Sequence, residues 1–204
     1  MVLAGMAAPG EADLARLKRL LRYLKGRPEA PITIPYGQDL STLTVQVDSD
    51  FAGCKSTRRS TCGGIAYWGG GVIKSWSKTL PTLALSTGEA ELGALVKGVA
   101  EGEGLVSLLK DFDFDVTLCV ESDAAAAIGI TRRLGLGRVR HLAVSDLWIQ
   151  QKVRQGSVVV EKVPGTRNTS DMCTKALDGT RLEELMKRAG LIRHGNDDEP
   201  TKSG

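Results

Sequence analysis

The chain has 204 residues, of which 42% are hydrophobic and 25% charged. This is the balance of a globular protein with one ordinary domain plus extensions, or with two small domains. The net charge of +3 is compatible with a nucleic-acid partner but too small to indicate one by itself.

Residues 1–10 lack the basic start and long apolar core of a signal peptide. No apolar run approaches the roughly 20 residues that are needed to span a bilayer. We therefore expect an intracellular protein, in the cytoplasm or nucleus, that is not secreted and has no membrane partner.

The cysteines do not indicate a zinc site. No C-x-x-C pair occurs, and no cysteine has metal-ligand spacing to His141 or His194. Reduced thiols and no zinc are expected. The cysteines are Cys54, Cys62, Cys119 and Cys173.

The first predicted element is a basic amphipathic helix over residues 11–26. Leucines recur at helical spacing from Leu14 to Leu24, and lysines and arginines occupy the other faces. Such a helix could lie on a membrane or bind a partner, but we favour docking of its leucines onto the main domain or a neighbouring domain. Gly26 and the following prolines predict a linker, so residues 1–40 are interpreted as an N-terminal extension.

Strand character begins at Leu43, where apolar and polar residues alternate as far as Asp48. Two antiparallel strands are predicted to meet at three glycines. The longest helix is predicted to begin at Ser86, because Ser86-Thr-Gly-Glu89 is a capping-box sequence in which Glu89 reaches back to the Ser86 amide. The predicted ranges are strands at 63–68, 72–78, 116–122 and 158–163, and helices at 86–110, 124–130, 142–154 and 168–189.

This order of elements predicts an α/β domain over residues 41–192, with a mixed sheet flanked by helices. The polar residues 193–204 are expected to form a disordered tail. Periodicity alone does not give the order of the strands in the sheet.

Two acidic side chains in the first half of the chain are candidate metal ligands. Asp48 lies opposite the buried valines of its strand, where a solvated carboxylate is the ordinary alternative, and Asp50 shares that face nearer the turn. Glu91 shares the helix face that meets the sheet and needs a partner there. Glu89 already has a role in the capping box.

Two further candidates lie in the second half. Asp123 follows a buried strand, where ligands gather in α/β sheets, although a helix N-cap explains an Asp there equally well. Asp171 lies in the first turn of the last helical region, where the helix dipole favours an acidic residue without any catalysis. No spacing rule joins the four carboxylates into one site.

Basic residues could contact a phosphate backbone from two loops. For any single arginine among them, a solvated loop charge is the better interpretation. The candidates are Lys55, Arg58 and Arg59 in the first loop and Arg138, Arg140 and His141 in the second.

Several motifs, in this order along the chain, resemble the ribonuclease H domain of copia-type LTR retrotransposon polyproteins. Residues 17–26 also look like the helix that ends the reverse-transcriptase region upstream of that domain. The motifs are Val47–Gly53, Ser56–Gly64, Ile73–Lys78, Leu85–Leu92, Glu121–Ile128, Arg140–Leu142 and Val163–Lys175.

The resemblance implies a ribonuclease H-like fold with a five-stranded mixed sheet. It also implies an endonuclease that hydrolyses the RNA strand of RNA–DNA hybrids, with a reverse-transcriptase domain as a further partner. No general base is assigned to a histidine, because residues 163–171 contain none. The implied ligands of two Mg²⁺ or Mn²⁺ ions are Asp48, Glu91, Asp123 and Asp171.

Two other functions stay open. The chain could be a catalytically silent, domesticated module that binds nucleic acid, or a structural subunit that associates with a polymerase. Four intact carboxylates argue against the silent binding module.

Overall fold

A computed structural model describes residues 9–29, 31–54, 57–134 and 144–191, without the side chains of 144–147. It forms two compact units. One consists of the chain up to Ile32 together with the chain from Leu191, and the other spans Thr33–Gly190. The division into an extension at 1–40 and a domain at 41–192 stays a prediction, and residues 193–204 lie outside the described part.

The first unit contains helix α1, Glu11–Gly26, where the leucine periodicity predicted it. An antiparallel bridge joins Ile32 to Leu191. The five leucines of α1 are all exposed, between 39% and 55%. The partner of this leucine face therefore stays a prediction.

The second unit is built on one sheet in the order β3-β2-β1-β4-β5. β2 is antiparallel to β1 and β3, whereas β1, β4 and β5 are mutually parallel. The predicted five-stranded mixed sheet is therefore confirmed. The strands are β1 Thr42–Asp50, β2 Thr61–Trp68, β3 Gly71–Thr79, β4 Thr117–Ser122 and β5 Val158–Lys162.

Helices flank this sheet, as predicted. The single helix expected at 168–189 is two helices, because residues 175–178 leave the helical conformation before Asp178 caps the second one. A short 3₁₀ turn, Gly165–Arg167, precedes them. The helices are α2 Thr87–Asp111, α3 Ala125–Arg132, α4 Val144–Arg154, α5 Asp171–Thr174 and α6 Gly179–Arg188.

The long helix α2 begins where the capping sequence predicted. Ser86 Oγ accepts a hydrogen bond from the Glu89 amide at 3.2 Å. The return contact differs from the expected one, because Glu89 Oε2 accepts from the Leu85 amide, at 2.7 Å, rather than from Ser86. The cap fixes the first turn of α2, and with it the position of Glu91 in the second turn.

Two glycines allow close packing around the strand that carries Asp48. A Cβ atom at Gly98 of α2 would lie 2.5 Å from Val47 Cγ1, and one at Gly63 of β2 would lie 2.5 Å from the Cβ of Cys173. Real Cβ contacts are never this short, so a side chain at either position would push α2 or α5 away from the sheet.

Among the described helices, none is long and apolar enough to cross a membrane.

Candidate metal centre

Three of the four predicted carboxylates come together at one edge of the sheet. Asp48 is near the end of β1, Glu91 is in the second turn of α2, and Asp123 follows the last residue of β4. One oxygen of each lies within 4.8 Å of the other two. Asp48 and Asp123 meet because β1 and β4 are parallel, so their carboxyl ends share an edge.

Asp171, the fourth predicted ligand, is connected to this group through Lys175. Lys175 Nζ donates to Asp171 Oδ1 at 2.7 Å and to Asp48 Oδ1 at 3.0 Å. Arg181 Nη2 is 3.6 Å from the other oxygen of Asp171. Asp171 is thus close enough to Asp48 to share one ammonium, although it is not a member of the three-carboxylate group found among the described residues.

The buried Asp48 is held by a threonine and a lysine. Its residue exposure is 1%, and Thr174 Oγ1 and Lys175 Nζ donate to its two oxygens. Burial raises the pKa of Asp48 above its usual range, and these two donors oppose the rise. The side chain is therefore fixed in orientation before any cation binds.

Glu91 has the most perturbed carboxylate of the group. Burial first, and then the charge of Asp48, raise the pKa of Glu91 to about 7. The nearby Ser49 hydroxyl opposes this rise, but within the described chain nothing hydrogen-bonds to the buried Oε2 of Glu91. A buried carboxylate oxygen without a partner is costly, and a bound cation would relieve the cost.

Lys175 carries a full charge at neutral pH. Partial burial alone would lower its pKa, but the hydrogen bonds and charges of Asp171 and Asp48 outweigh burial and raise the pKa of Lys175 above its usual range. The ammonium neutralises part of the negative charge that gathers at this sheet edge.

Asp123 opens toward solvent. It is only partly buried and lines a cavity with Lys162, Pro164 and Gly165. The N-cap interpretation of Asp123 is wrong, because residue 124 is the N-cap of α3 and no side chain caps it. Asp171 does lie in the first turn of α5, as expected.

A buried asparagine that the sequence did not single out fixes the loop before Asp171. Asn168 is fully buried, and its Nδ2 donates to the Val47 carbonyl at 2.9 Å. Its Oδ1 accepts from Ser170 Oγ at 2.6 Å. These bonds tie the loop to the strand of Asp48, across more than 100 residues of sequence.

The structure describes two of the six predicted substrate-binding residues. Arg58 and Arg59 lie in an exposed loop after β1, at the sheet edge that carries Asp48. The remaining four lie outside the described residues. Their role in binding a phosphate backbone stays a prediction. The four are Lys55, Arg138, Arg140 and His141.

A second group with the spacing of metal ligands consists of Cys119, Glu121 and Glu161 on β4 and β5. There, Gln46 Nε2 already donates to Glu121 Oε2 at 2.8 Å. Among the described residues, this group has no buried oxygen without a partner, unlike Glu91 in the first group, so it gives weaker support for a metal.

No family model matches the chain. The retrovirus-related Pol polyprotein from transposon RE1 of Arabidopsis thaliana is 30% identical over 191 residues, which is 92% of this chain and 13% of that protein. The Pol polyprotein from transposon TNT 1-94 of Nicotiana tabacum is 29% identical over 190 residues, or 92% of this chain and 14% of that protein. This chain is homologous to a segment of retrotransposon Pol polyproteins.

The predicted resemblance to these polyproteins is thereby confirmed. The chain spans about 13% of the length of the RE1 relative. An uncharacterized mitochondrial protein of Arabidopsis thaliana is 45% identical over 107 residues, which cover 50% of this chain and 42% of that protein.

Two solved structures align with much of the chain at low identity. LC11-RNase H1 in complex with an RNA/DNA hybrid, isolated from compost, is 15% identical with a TM-score of 0.46 and covers 65% of this chain and 94% of that one. The N-terminal RNase H domain of a Mycobacterium tuberculosis protein is 14% identical with a TM-score of 0.45 and covers 73% of this chain and 99% of that one.

Proposed function

We propose that this chain is a metal-dependent endonuclease of the retrotransposon ribonuclease H kind, which hydrolyses the RNA strand of RNA–DNA hybrids. The observation that carries the proposal is the meeting of Asp48, Glu91 and Asp123 within 4.8 Å, with one buried oxygen of Glu91 unpartnered in the described chain. Homology to Pol polyproteins and the ordered sequence motifs support the choice of substrate.

The donor set fits Mg²⁺ or Mn²⁺. These ions prefer hard oxygen ligands, and Mg²⁺ binds through few carboxylates together with substrate phosphate. Asp48, Glu91, Asp123 and Asp171 would hold two such ions. When bound, a pair of ions activates a water and stabilises the leaving oxygen of an in-line displacement.

The chain itself would orient these ligands. Thr174 fixes one oxygen of Asp48, and Asn168 holds the loop that carries Asp171 against β1. Outer contacts of this kind matter, because their loss typically costs about 10–100-fold in metal affinity or activity.

Substrate binding would come from the basic loops. Arg58 and Arg59, with the four predicted basic residues outside the described part, would contact backbone phosphates. Preference for RNA would require contacts to 2′-hydroxyls across the shallow minor groove. A reverse-transcriptase domain is proposed as a partner, because the relatives are much longer polyproteins.

The test is cleavage of a labelled RNA–DNA hybrid in Mg²⁺ by the wild type and by Asp48→Asn. We expect Asp48→Asn to lose more than about 100-fold in rate, since a direct ligand should matter more than an outer contact. Asp50→Asn is the matched control, because Asp50 lies two residues further along the same strand and outside the carboxylate group.

Each outcome of this assay has a distinct meaning. Cleavage by the wild type and Asp50→Asn, with loss in Asp48→Asn, supports the enzyme. Hybrid binding without cleavage by the wild type would contradict it and support the silent binding module. Equal rates in Asp48→Asn and Asp50→Asn would show that the activity does not depend on the proposed site.

A further inference from the structure

Lys175 lies between two of the proposed metal ligands, Asp48 and Asp171, and contacts both. Its Nζ is 3.0 Å from Asp48 Oδ1 and 2.7 Å from Asp171 Oδ1. The side chain of Asp48 is 1% exposed and that of Asp171 is 12% exposed, whereas that of Lys175 is 41% exposed. Two nearly buried carboxylates thus share the ammonium group of Lys175, which is still accessible to solvent.

This ammonium replaces hydration that both carboxylates have lost. Unpaired buried carboxylates are costly, and two of them facing each other repel. Each directs its Oδ1 atom at the same nitrogen, so Lys175 reduces the repulsion within the pair and holds the two side chains near each other.

A divalent ion that binds Asp48 and Asp171 together would need the same space. Mg²⁺ binds carboxylate oxygens at about 2.1 Å, which is shorter than either of the contacts made by the ammonium. An ion bonded to both Oδ1 atoms would lie close to Lys175 Nζ, which contacts the same two atoms, and the two positive charges would repel each other. The two cations exclude each other there.

The backbone and exposure of Lys175 would permit its exchange. The residue follows the last residue of α5 and has extended backbone angles, φ −115° and ψ 149°. Since 41% of its side chain is exposed, the ammonium can turn into solvent without crossing a packed layer. By contrast, the group of Asp48, Glu91 and Asp123 already has a buried oxygen without a partner in the described chain.

We propose that Lys175 is a positioning residue that serves as counter-ion of the Asp48–Asp171 pair, and that a divalent ion binding between these carboxylates displaces it. The inference rests on the proposed metal-dependent function and deepens it. Its consequence is two unequal ion sites. The ion at Asp48, Glu91 and Asp123 binds without displacing Lys175, and the ion that also binds Asp171 binds in competition with Lys175.

The test is Mn²⁺ binding by titration calorimetry, together with thermal unfolding in EDTA, for the wild type, Lys175→Met and a control. We expect Lys175→Met to bind the second Mn²⁺ at least about tenfold more tightly, because the competing cation is gone, with little change at the first ion. In EDTA its melting temperature should fall, since the two carboxylates then repel without the ammonium between them, and Arg181 contacts only Asp171 of the two.

Lys152→Met is the matched control. Lys152 makes an ion pair of 2.6 Å with Glu103, away from the carboxylate group. Lys152→Met should bind Mn²⁺ as the wild type does.

Lys175→Arg keeps the positive charge and serves as the second variant. It should keep the wild-type melting temperature in EDTA, and it should bind the second Mn²⁺ as weakly as the wild type does.

The outcomes separate this inference from the proposed function. If Lys175→Met binds the second ion no more tightly than the wild type while the first ion still binds, the role of Lys175 is refuted and the metal site stands. If none of the four proteins binds Mn²⁺, both proposals fall. If Lys175→Arg loses as much metal-free stability as Lys175→Met, charge is not what Lys175 contributes.

Discussion

At the scale of single residues, Glu91 is the carboxylate of the candidate metal centre that would gain most from a bound cation. Its carboxylate is buried beside Asp48, and one of its oxygens finds no donor in the described part of the chain. In an ordinary helix, a glutamate in the second turn would point to water and stay ionised. Here the same residue has a pKa of about 7, so without a cation it is about half protonated at neutral pH.

This shift predicts a pH dependence of stability. In the folded protein the pKa of Glu91 is raised from 4.5 to about 7, so between these values the folded state binds more protons than the unfolded one. In EDTA, the free energy of unfolding should therefore fall as pH rises from about 4.5 to 7, by at most about 3 kcal/mol from this group.

Chemical denaturation at a series of pH values measures this slope. Glu91→Gln should flatten it, because the amide does not titrate. Excess Mg²⁺ should also flatten or reverse it, because the ion favours the ionised carboxylate. A wild-type slope that is unchanged by both Glu91→Gln and Mg²⁺ would contradict the assignment of Glu91 to the metal centre.

At the scale of elements, α2 positions Glu91 through its close approach to the sheet. Gly98 faces Val47 so closely that a Cβ would lie 2.5 Å from Val47 Cγ1. Gly104, six residues further along the same helix, has open space where its Cβ would be. Close packing therefore requires a glycine at Gly98 but not at Gly104. Both lie inside a helix, where glycine is otherwise unfavourable.

Alanine at these two positions should change stability in opposite directions. Gly98→Ala forces α2 away from β1, and we expect it to destabilise the protein by about 1–3 kcal/mol. Gly104→Ala should stabilise it by about 0.5–1 kcal/mol, since alanine only lowers the entropy cost of the helix. Urea denaturation of both variants measures this. Stabilisation by Gly98→Ala would show that α2 does not need the close approach.

Much of this element structure follows from sequence patterns. Strong periodicity predicted α1 and β1, and the capping sequence predicted the start of α2. The break between α5 and α6 was missed, because residues 168–189 read as one helical region. The order of the strands was missed as well, since side-chain alternation shows which face is buried but not which strand is adjacent.

At the scale of the whole molecule, the site depends on contacts between distant parts of the chain. Local patterns favoured Asp48, Glu91 and Asp123, and resemblance to a family joined Asp171 to them. Nothing local showed that Asn168 holds its loop to β1, because its partner Val47 lies 121 residues away in sequence. Lys175 had one usable signal, its spacing of four residues from Asp171.

The similar Pol polyproteins are much longer than this chain. The chain matches 13–14% of the length of the RE1 and TNT 1-94 relatives. The exposed leucines of α1 would suit a neighbouring part of such a polyprotein, because apolar helix faces are normally covered. The candidate metal centre, by contrast, is built entirely from residues of the second unit, Thr33–Gly190.

The central claim is that the acidic side chains at the sheet edge hold divalent ions. Crystals soaked in Mn²⁺ and measured at its absorption edge would locate the metal through its anomalous signal. We predict a Mn²⁺ ion bonded to oxygens of Asp48, Glu91 and Asp123, with the signal abolished in Asp48→Asn. Mn²⁺ bound only elsewhere, or no signal at saturating concentration in a crystal whose sheet edge is open to solvent, would contradict the claim.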